Sequence, residues 1–193
     1  MFTDLTDLIE QFLLKNPEIK EKLDIYQREL LKWNKKINLI SKKEDLHSSF
    51  YHFKDSVSFS LLLPEHSNLL DVGTGAGFPG LVVAVCKPDI DVTLMEPISK
   101  KTAFLSYIKS KLNLQNVTII NERLTPEDNK YHRKNAVCRA LTDLKEWENL
   151  ARNTAENLWF LASETQSNNT NWQKKGFWKS ELHGKRFILK REL

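Results

Sequence analysis

Residues 68 to 80, NLLDVGTGAGFPG, combine a short apolar run, an acidic residue and four glycines within eight positions. Glycine adopts positive φ at no steric cost and lets the backbone approach a ligand closely. Pro79 suits the first turn of a helix, where free backbone N–H groups point at whatever fills the loop. The stretch therefore predicts a buried strand, then a loop that binds a nucleotide-like cofactor, then a helix.

Two classes of cofactor use such a loop, and one acidic residue helps to separate them. Gly75, Gly77 and Gly80 fit the dinucleotide fingerprint GxGxxG, and Glu96 follows at about the expected twenty residues. Asp71 argues against a dinucleotide, because it stands two residues before the first glycine, where it can meet a cation. The pattern acid-x-Gly-x-Gly-x-Gly resembles the first motif of S-adenosylmethionine-dependent methyltransferases, whose cofactor has an amino group and a sulfonium. An ordinary glycine-rich turn is the alternative without a ligand.

Candidate ligand-binding residues follow the next two predicted strands. Ligands of open parallel sheets bind beyond the carboxyl ends of the strands. Glu96 ends the second strand, where its carboxylate could accept hydrogen bonds from both hydroxyls of a ribose or could lie at the N-terminus of the following helix. Leu124 and Thr125 follow the third strand, and their backbone groups could bond to the edge of an adenine.

Arg139 ends the fourth strand, which is otherwise apolar. A charge there is costly unless it has a partner. It could contact the ligand directly or form a buried ion pair with one of three carboxylates, namely Asp71, Glu96 or Asp143. His52 and Asp55, three residues apart on a predicted helix, could form an acid/base pair, but a helix-capping or packing role is favoured because nothing nucleophilic is near in sequence.

The elements that must hold these residues follow from hydrophobic periodicity. Three amphipathic stripes in the first sixty residues predict an N-terminal helical layer, over 1–64, packed on a core over 65–193. From residue 68 the pattern changes to alternating strands and helices, which is typical of an α/β parallel sheet. Strands are predicted at 68–72, 91–96, 117–121, 135–139 and 158–163, and helices at 79–86, 98–112 and 143–157. Segments 177–182 and 185–190 predict an antiparallel hairpin at the sheet edge, and the polar segment 163–171 predicts a mobile loop.

Length and composition limit the classes of function. The chain has 193 residues with 40% hydrophobic and 28% charged residues, as expected for one globular domain with an extension. No apolar run approaches the roughly 20 residues that span a bilayer. The acidic N-terminal segment does not resemble a signal peptide, so we expect a cytoplasmic protein. The two cysteines share no motif with the histidines, which predicts no metal site.

The net charge of +4 is mild, but lysine and arginine are clustered along the chain. A polyanionic partner would suit this distribution. Solvated helix faces and a basic tail would explain it equally well. The clusters are Lys32, Lys35, Lys36, Lys42 and Lys43; Lys100 and Lys101; and Lys174, Lys175, Lys185, Arg186, Lys190 and Arg191.

Several stretches together resemble the bacterial small-subunit ribosomal RNA guanine-N7 methyltransferases of the glucose-inhibited division protein B family. They are LLKWNKKINLIS at 30–41, HFKDS at 52–56, LLDVGTGAGFPG at 69–80, CRAL at 138–141 and GKRFILKR at 184–191. The ending FPG of the glycine loop is much more specific than the glycine spacing. The chain departs from the family after the fifth strand, where FLASETQ replaces a lysine-glycine step, and after the third strand, where LTPE replaces alanine-glutamate.

The resemblance implies a Rossmann-like class I methyltransferase fold, with a mostly parallel sheet, an antiparallel edge strand and an N-terminal helical layer. It implies S-adenosylmethionine as the cofactor, small-subunit ribosomal RNA as the partner and a monomer. The cofactor residues that follow from the loop and the resemblance together are Asp71, Gly73, Gly75, Gly77, Phe78, Glu96, Leu124, Thr125 and Arg139. An RNA-binding protein with a relic fold and a nicotinamide-dependent oxidoreductase remain alternatives.

Overall fold

A computed structural model describes residues 2–168 and 170–193. Within them, the chain forms seven helices and eight strands. In order they are β1 (Thr3–Asp4), α1 (Thr6–Lys15), α2 (Pro17–Asn34), α3 (Leu46–Ser60), β2 (Asn68–Val72), α4 (Gly80–Cys86), β3 (Asp91–Met95), α5 (Ser99–Lys111), β4 (Val117–Ile120), β5 (Arg133–Arg139), α6 (Leu144–Ala151), β6 (Ala155–Ser163), α7 (Glu164–Ser167), β7 (Gln173–Ser180) and β8 (Gly184–Glu192).

The described strands form one sheet in the order β1-β7-β8-β6-β5-β2-β3-β4. Strands β4, β3, β2, β5 and β6 are parallel, whereas β8 pairs antiparallel with both β6 and β7. The predicted fold class is therefore confirmed, including the antiparallel edge and the hairpin. The chain runs from β2 outward to β4 and then returns to the other side of β2, so the strand order reverses between β2 and β5.

Hydrophobic clusters cover both faces of the sheet, because successive side chains of a strand point to opposite faces. In β6, Trp159 and Leu161 join the cluster formed with α1 to α5, and Leu158 and Phe160 join the cluster on the other face with Trp147 of α6. The N-terminal helices thus share a core with the face of the sheet that α4 and α5 cover. None of the helices among the described residues is long and apolar enough to cross a membrane.

Two predicted elements differ from the structure. The helix predicted at 143–157 is wrong beyond Ala151, because the chain turns there and β6 already begins at Ala155. The loop predicted at 163–171 contains the short helix α7, whose N-terminus is closed by a capping box between Ser163 and Gln166. Asn169, which the same prediction included, lies outside the described residues, as does Met1 of the proposed N-terminal layer.

Candidate functional site

The glycine loop and Arg139 are brought together where the strand order reverses. Asp71 in β2 pairs with Val137 in the parallel neighbour β5. Gly73 and Arg139 each follow two residues later, so both emerge at the carboxyl edge of adjacent strands. Neighbouring strands of a sheet lie about 4.8 Å apart. This is the position at which open α/β sheets bind ligands.

The backbone N–H groups of the glycine loop are largely engaged within the protein. This differs from the expectation that they are free to face a ligand. The physical reason is the tight turn, which brings these N–H groups near a carbonyl of the loop or of β3, or near the carboxylate of Asp71 or Glu96. The engaged groups are those of Gly73 and Thr74, which donate to the carbonyl of Met95; of Gly77 and Phe78, which donate to the carbonyl of Thr74; and of Gly75 and Gly80, which donate to carboxylates.

Glycine is required in the loop by close neighbours as well as by backbone conformation. Gly77 has φ +98°, and a Cβ atom there would collide with the Tyr26 hydroxyl and the Leu81 side chain. A Cβ atom on Gly73 would lie 2.8 Å from Leu141 Cδ1. Leu141 follows Ala140, which has φ +53°, an uncommon value for a residue other than glycine. Leu141 is part of this site although nothing in its residue type suggests such a position.

Asp71 is fully buried beneath the loop, with 0% of its surface exposed. Its Oδ2 accepts hydrogen bonds from the Thr74 hydroxyl (2.5 Å) and the Gly80 N–H (2.7 Å). Among the described residues, none donates to its Oδ1. Burial raises the pKa of Asp71 from an ordinary 3.8 to about 6, against the opposing effect of these hydrogen bonds. The site therefore contains a buried carboxylate with one oxygen to which no described residue donates.

Glu96 anchors the loop to the neighbouring strand. Its Oε2 accepts from the Gly75 N–H and its Oε1 accepts from the Ile98 N–H, both at 3.0 Å. Ile98 is the N-cap residue of α5, so one carboxylate fixes both the glycine loop and the start of a helix. Because each carboxylate oxygen has a second lone pair, the ribose contact predicted for Glu96 is compatible with both bonds.

Glu96→Gln is expected to destabilise the protein by about 1–3 kcal/mol, because the side-chain amide must turn a donor toward one of two backbone N–H groups. Urea unfolding monitored by circular dichroism measures the change. Glu156→Gln, at an exposed glutamate of β6, is the matched control and should change stability by less than about 0.5 kcal/mol. Equal effects of the two variants would show that the Glu96 bonds add nothing to stability.

The ring of Phe78 is buried in an aromatic cluster. It stacks on Tyr26 of α2 with ring centroids 5.6 Å apart and on His52 of α3 at 5.2 Å. The Arg139 guanidinium lies 5.0 Å from its centroid, within cation–π range. Since the ring is enclosed on these sides, the cofactor contact predicted for Phe78 would involve its backbone.

Arg139 is held by residues of α3. Its Nη1 lies 3.0 Å from His52 Nδ1 and 3.5 Å from Asp55 Oδ2. The ion pair that was one of its two predicted roles therefore exists, but with Asp55 and with none of the three carboxylates suggested from the sequence. Asp55 precedes Arg139 by 84 positions in the sequence, and only the packing of α3 against the end of β5 brings them together.

Asp55 also joins the hairpin to the site. It is 1% exposed, and its carboxylate accepts from Trp178 Nε1 (3.1 Å) and from Arg186 Nε (3.4 Å). Of the capping or packing role favoured for His52 and Asp55, capping is wrong, because Asp45 caps α3. Packing is found for His52, whose ring stacks on Phe78. The sequence around His52 and Asp55 gives no signal for partners that lie more than eighty positions away.

Leu124 and Thr125 lie in the loop that follows β4, but their surroundings differ. Leu124 is buried in the second hydrophobic cluster. The N–H and hydroxyl of Thr125 both donate to Asp128 Oδ2, at 2.8 and 3.1 Å. The adenine contact of this pair stays a prediction, and the Thr125 N–H would have to leave Asp128 to take part in it.

Comparison of sequences identifies proteins that are similar to this chain. The family model GidB, described as rRNA small subunit methyltransferase G, matches residues 19–187. The protein named ribosomal RNA small subunit methyltransferase G of Methylobacillus flagellatus is 34% identical over 77% of this chain and 73% of its own length. The protein of that name from Desulfotalea psychrophila is 42% identical over 56% of this chain and 50% of its own length. The chain thus spans about half the length of the Desulfotalea relative.

Comparison of structures identifies a solved protein whose fold is similar to that of this chain. A SAM-dependent methyltransferase from Aquifex aeolicus superposes with a TM-score of 0.52 over 74% of this chain and 92% of that protein. The sequence identity is 16%, so this likeness supports the fold and no more.

Proposed function

Because the chain belongs to the GidB family of small-subunit ribosomal RNA methyltransferases, we propose that it transfers a methyl group from S-adenosylmethionine to N7 of a guanine in small-subunit ribosomal RNA. The observation that best supports this cofactor is the carboxylate of Asp71. It is buried at the carboxyl end of β2 and has an oxygen to which no described residue donates. An amino group or a sulfonium is suited to this position.

The same residue argues against a dinucleotide. A pyrophosphate binds to the free N–H groups at a helix N-terminus. In this chain the Gly80 N–H, which opens α4, donates to Asp71 Oδ2 at 2.7 Å. A pyrophosphate would therefore meet a carboxylate and backbone N–H groups that already have acceptors. The residues present suit a cationic cofactor.

In the proposed site, Glu96 accepts from the ribose and Arg139 lies beside the methyl donor. The loop glycines Gly73, Gly75 and Gly77, with Phe78, surround the donor through their backbone, and Leu124 and Thr125 bond its adenine. All of these contacts are proposals. When bound, S-adenosylmethionine supplies the electrophilic methyl group. Guanine N7 has a lone pair and no proton, so the chain needs no general base for this step.

The chain's own contribution to the reaction is alignment. Holding a nucleophile and an electrophile in line can lower a barrier by several kcal/mol. Arg139 is suited to this work, because its guanidinium is fixed from two sides at the edge of the glycine loop. The reaction requires no metal, and we propose that the protein acts as a monomer in the cytoplasm.

Basic residues near the carboxyl edge of the sheet support an RNA partner. Lys42 lines a surface groove of about 860 Å³ between the end of α2 and the start of α3, together with Glu44, which bonds to His52. Lys100 is the second residue of α5, four positions after Glu96, and Lys185 is adjacent to Arg186, whose guanidinium contacts Asp55. Three separate parts of the chain thus place positive charge around one edge, as phosphate binding requires.

Methylation of ribosomal particles tests the proposal. Small subunits from a strain that lacks this gene should gain one methyl group when incubated with the protein and labelled S-adenosylmethionine, and mapping of the RNA should locate the methyl group at N7 of a guanine. RNA binding without transfer would favour the relic-fold alternative. Calorimetric binding of NADH, together with no binding of S-adenosylmethionine, would favour the oxidoreductase.

A further inference from the structure

We propose that His52, as a neutral imidazole, is the positioning residue for Arg139: it accepts a hydrogen bond from the guanidinium through Nδ1 and is itself held by Glu44 through Nε2. The contacts of His52 support this assignment directly. Its effect on catalysis rests on the proposed methyl transfer.

The partners of the two ring nitrogens determine which one has the proton. Arginine only donates hydrogen bonds, so Nδ1, at 3.0 Å from Arg139 Nη1, must be an acceptor. Nε2 lies 2.8 Å from Glu44 Oε2, and a carboxylate accepts. The proton of the neutral ring is therefore on Nε2. The chain of hydrogen bonds runs from Glu44 through His52 to Arg139.

Packing fixes the plane of the imidazole. The ring stacks on Phe78 with an interplanar angle of 30°, and the same Phe78 ring supports the Arg139 guanidinium. The His52 side chain is 15% exposed and that of Arg139 is 13% exposed. Both groups thus have few alternative orientations, and a single hydrogen bond between them suffices to select one.

Asp55 alone does not fix the direction of Arg139. Its carboxylate is 3.5 Å from Arg139 and is shared with Arg186 and Trp178, at 3.4 and 3.1 Å. An ion pair at that distance attracts the guanidinium but leaves its rotation free, because it is not a bidentate contact. The shorter bond to His52 Nδ1 supplies the missing constraint, with the charge of Asp55 keeping Arg139 in place.

Protonation of His52 would break this arrangement, because an imidazolium has no acceptor to offer Arg139. The charged groups around His52 act in both directions: Glu44 and Asp55 favour the cation, whereas Arg139 opposes it. The Tyr51 ring lies 5.0 Å from the His52 ring, and Arg186 contacts both Tyr51 and Asp55. Burial has the largest effect and lowers the pKa of His52 below its ordinary 6.5. The bond to Arg139 is thus complete near neutral pH and is lost as the pH falls through that lowered pKa.

Two substitutions separate the two bonds of His52. Asn places an amide oxygen where Nδ1 lies, and Gln places an amide group where Nε2 lies. We expect His52→Gln, which keeps the bond to Glu44, to lower kcat roughly tenfold to hundredfold at saturating S-adenosylmethionine, because it loses a hydrogen bond to a charged group. His52→Asn, which keeps the bond to Arg139, should retain kcat within about threefold. In the wild-type protein, protonation of His52 should lower kcat at acid pH. This decline should be absent from His52→Asn. A purely structural role predicts equal losses in both variants and an unchanged profile.

A double-mutant cycle tests whether His52 acts through Arg139. In an Arg139→Lys background, His52→Gln should lower kcat less than about threefold, because the guanidinium that His52 orients is absent. A full additional loss would overturn the proposal.

¹⁵N spectra of the histidines, assigned by subtracting the His52→Asn spectrum, give a readout that does not depend on methyl transfer. A proton found on Nδ1 at neutral pH would also overturn it, whereas the expected Nε2 tautomer in a protein that transfers no methyl group would refute only the proposed function.

Discussion

Asp71→Asn is expected to weaken the binding of S-adenosylmethionine roughly tenfold to hundredfold, the usual worth of a charge-assisted hydrogen bond. The asparagine oxygen can still accept from Thr74 and Gly80, so the loop keeps its anchor. The amide NH₂ then replaces Oδ1, the oxygen available to a cationic donor. Isothermal titration calorimetry measures the affinity.

The same substitution is expected to stabilise the free protein, by on the order of 1–3 kcal/mol at pH 8, because it removes a buried carboxylate whose pKa is raised. Urea unfolding measures this change. Asp91→Asn, at an exposed residue at the opposite end of β3, is the matched control and should affect neither property. Unchanged affinity in the Asp71 variant would refute the cofactor role of this carboxylate.

The pH dependence of stability gives a second check on Asp71. Its pKa is about 6 in the folded protein and 3.8 ordinarily, so between these values the folded state binds more protons than the unfolded state. Its contribution to stability is therefore complete below pH 3.8 and is lost as the pH rises through about 6. The Asp71→Asn variant should lack this decline, and unfolding curves across that range would detect it.

Asp55→Asn is expected to destabilise the protein by about 3 kcal/mol, as measured by urea unfolding, because two nearly buried guanidiniums lose their shared counter-charge. Arg139 and Arg186 are 13% and 12% exposed, so water can replace the lost partner only in part. The hairpin β7–β8 should loosen as well, since Trp178 and Arg186 both bond to this carboxylate.

Asp7→Asn is the control for this change, since Asp7 is an exposed aspartate of α1. Its cost should be a few tenths of a kcal/mol. A second readout is amide hydrogen exchange: protection should fall in β8 and at the end of β5 while β3 and β4 keep theirs. A loss of stability below about 1 kcal/mol would mean that the arginines do not depend on Asp55.

The glycine loop and the sheet were predictable because their signals are local. The segment from 68 to 80 contains a strand, a loop and the start of a helix in one continuous run, and each residue type there restricts the backbone of its own position. The same holds for the alternation of strands and helices and for the hairpin around Gly184. The helix predicted at 143–157 failed because periodicity continues across Ala151, while pairing of β6 begins at Ala155 with β5 and at Asn157 with β8.

By itself, the sequence determined the fold class, the strand that presents Asp71 and the strand ends at which Glu96 and Arg139 emerge. Only the tertiary structure decided what those residues contact. Arg139 is directed by His52 and Asp55 of α3, and Asp55 is in turn bound by Arg186 of β8, 131 positions away. The physical reason is that strand position follows from local patterns, whereas the partner of a buried charge depends on which distant elements pack against it.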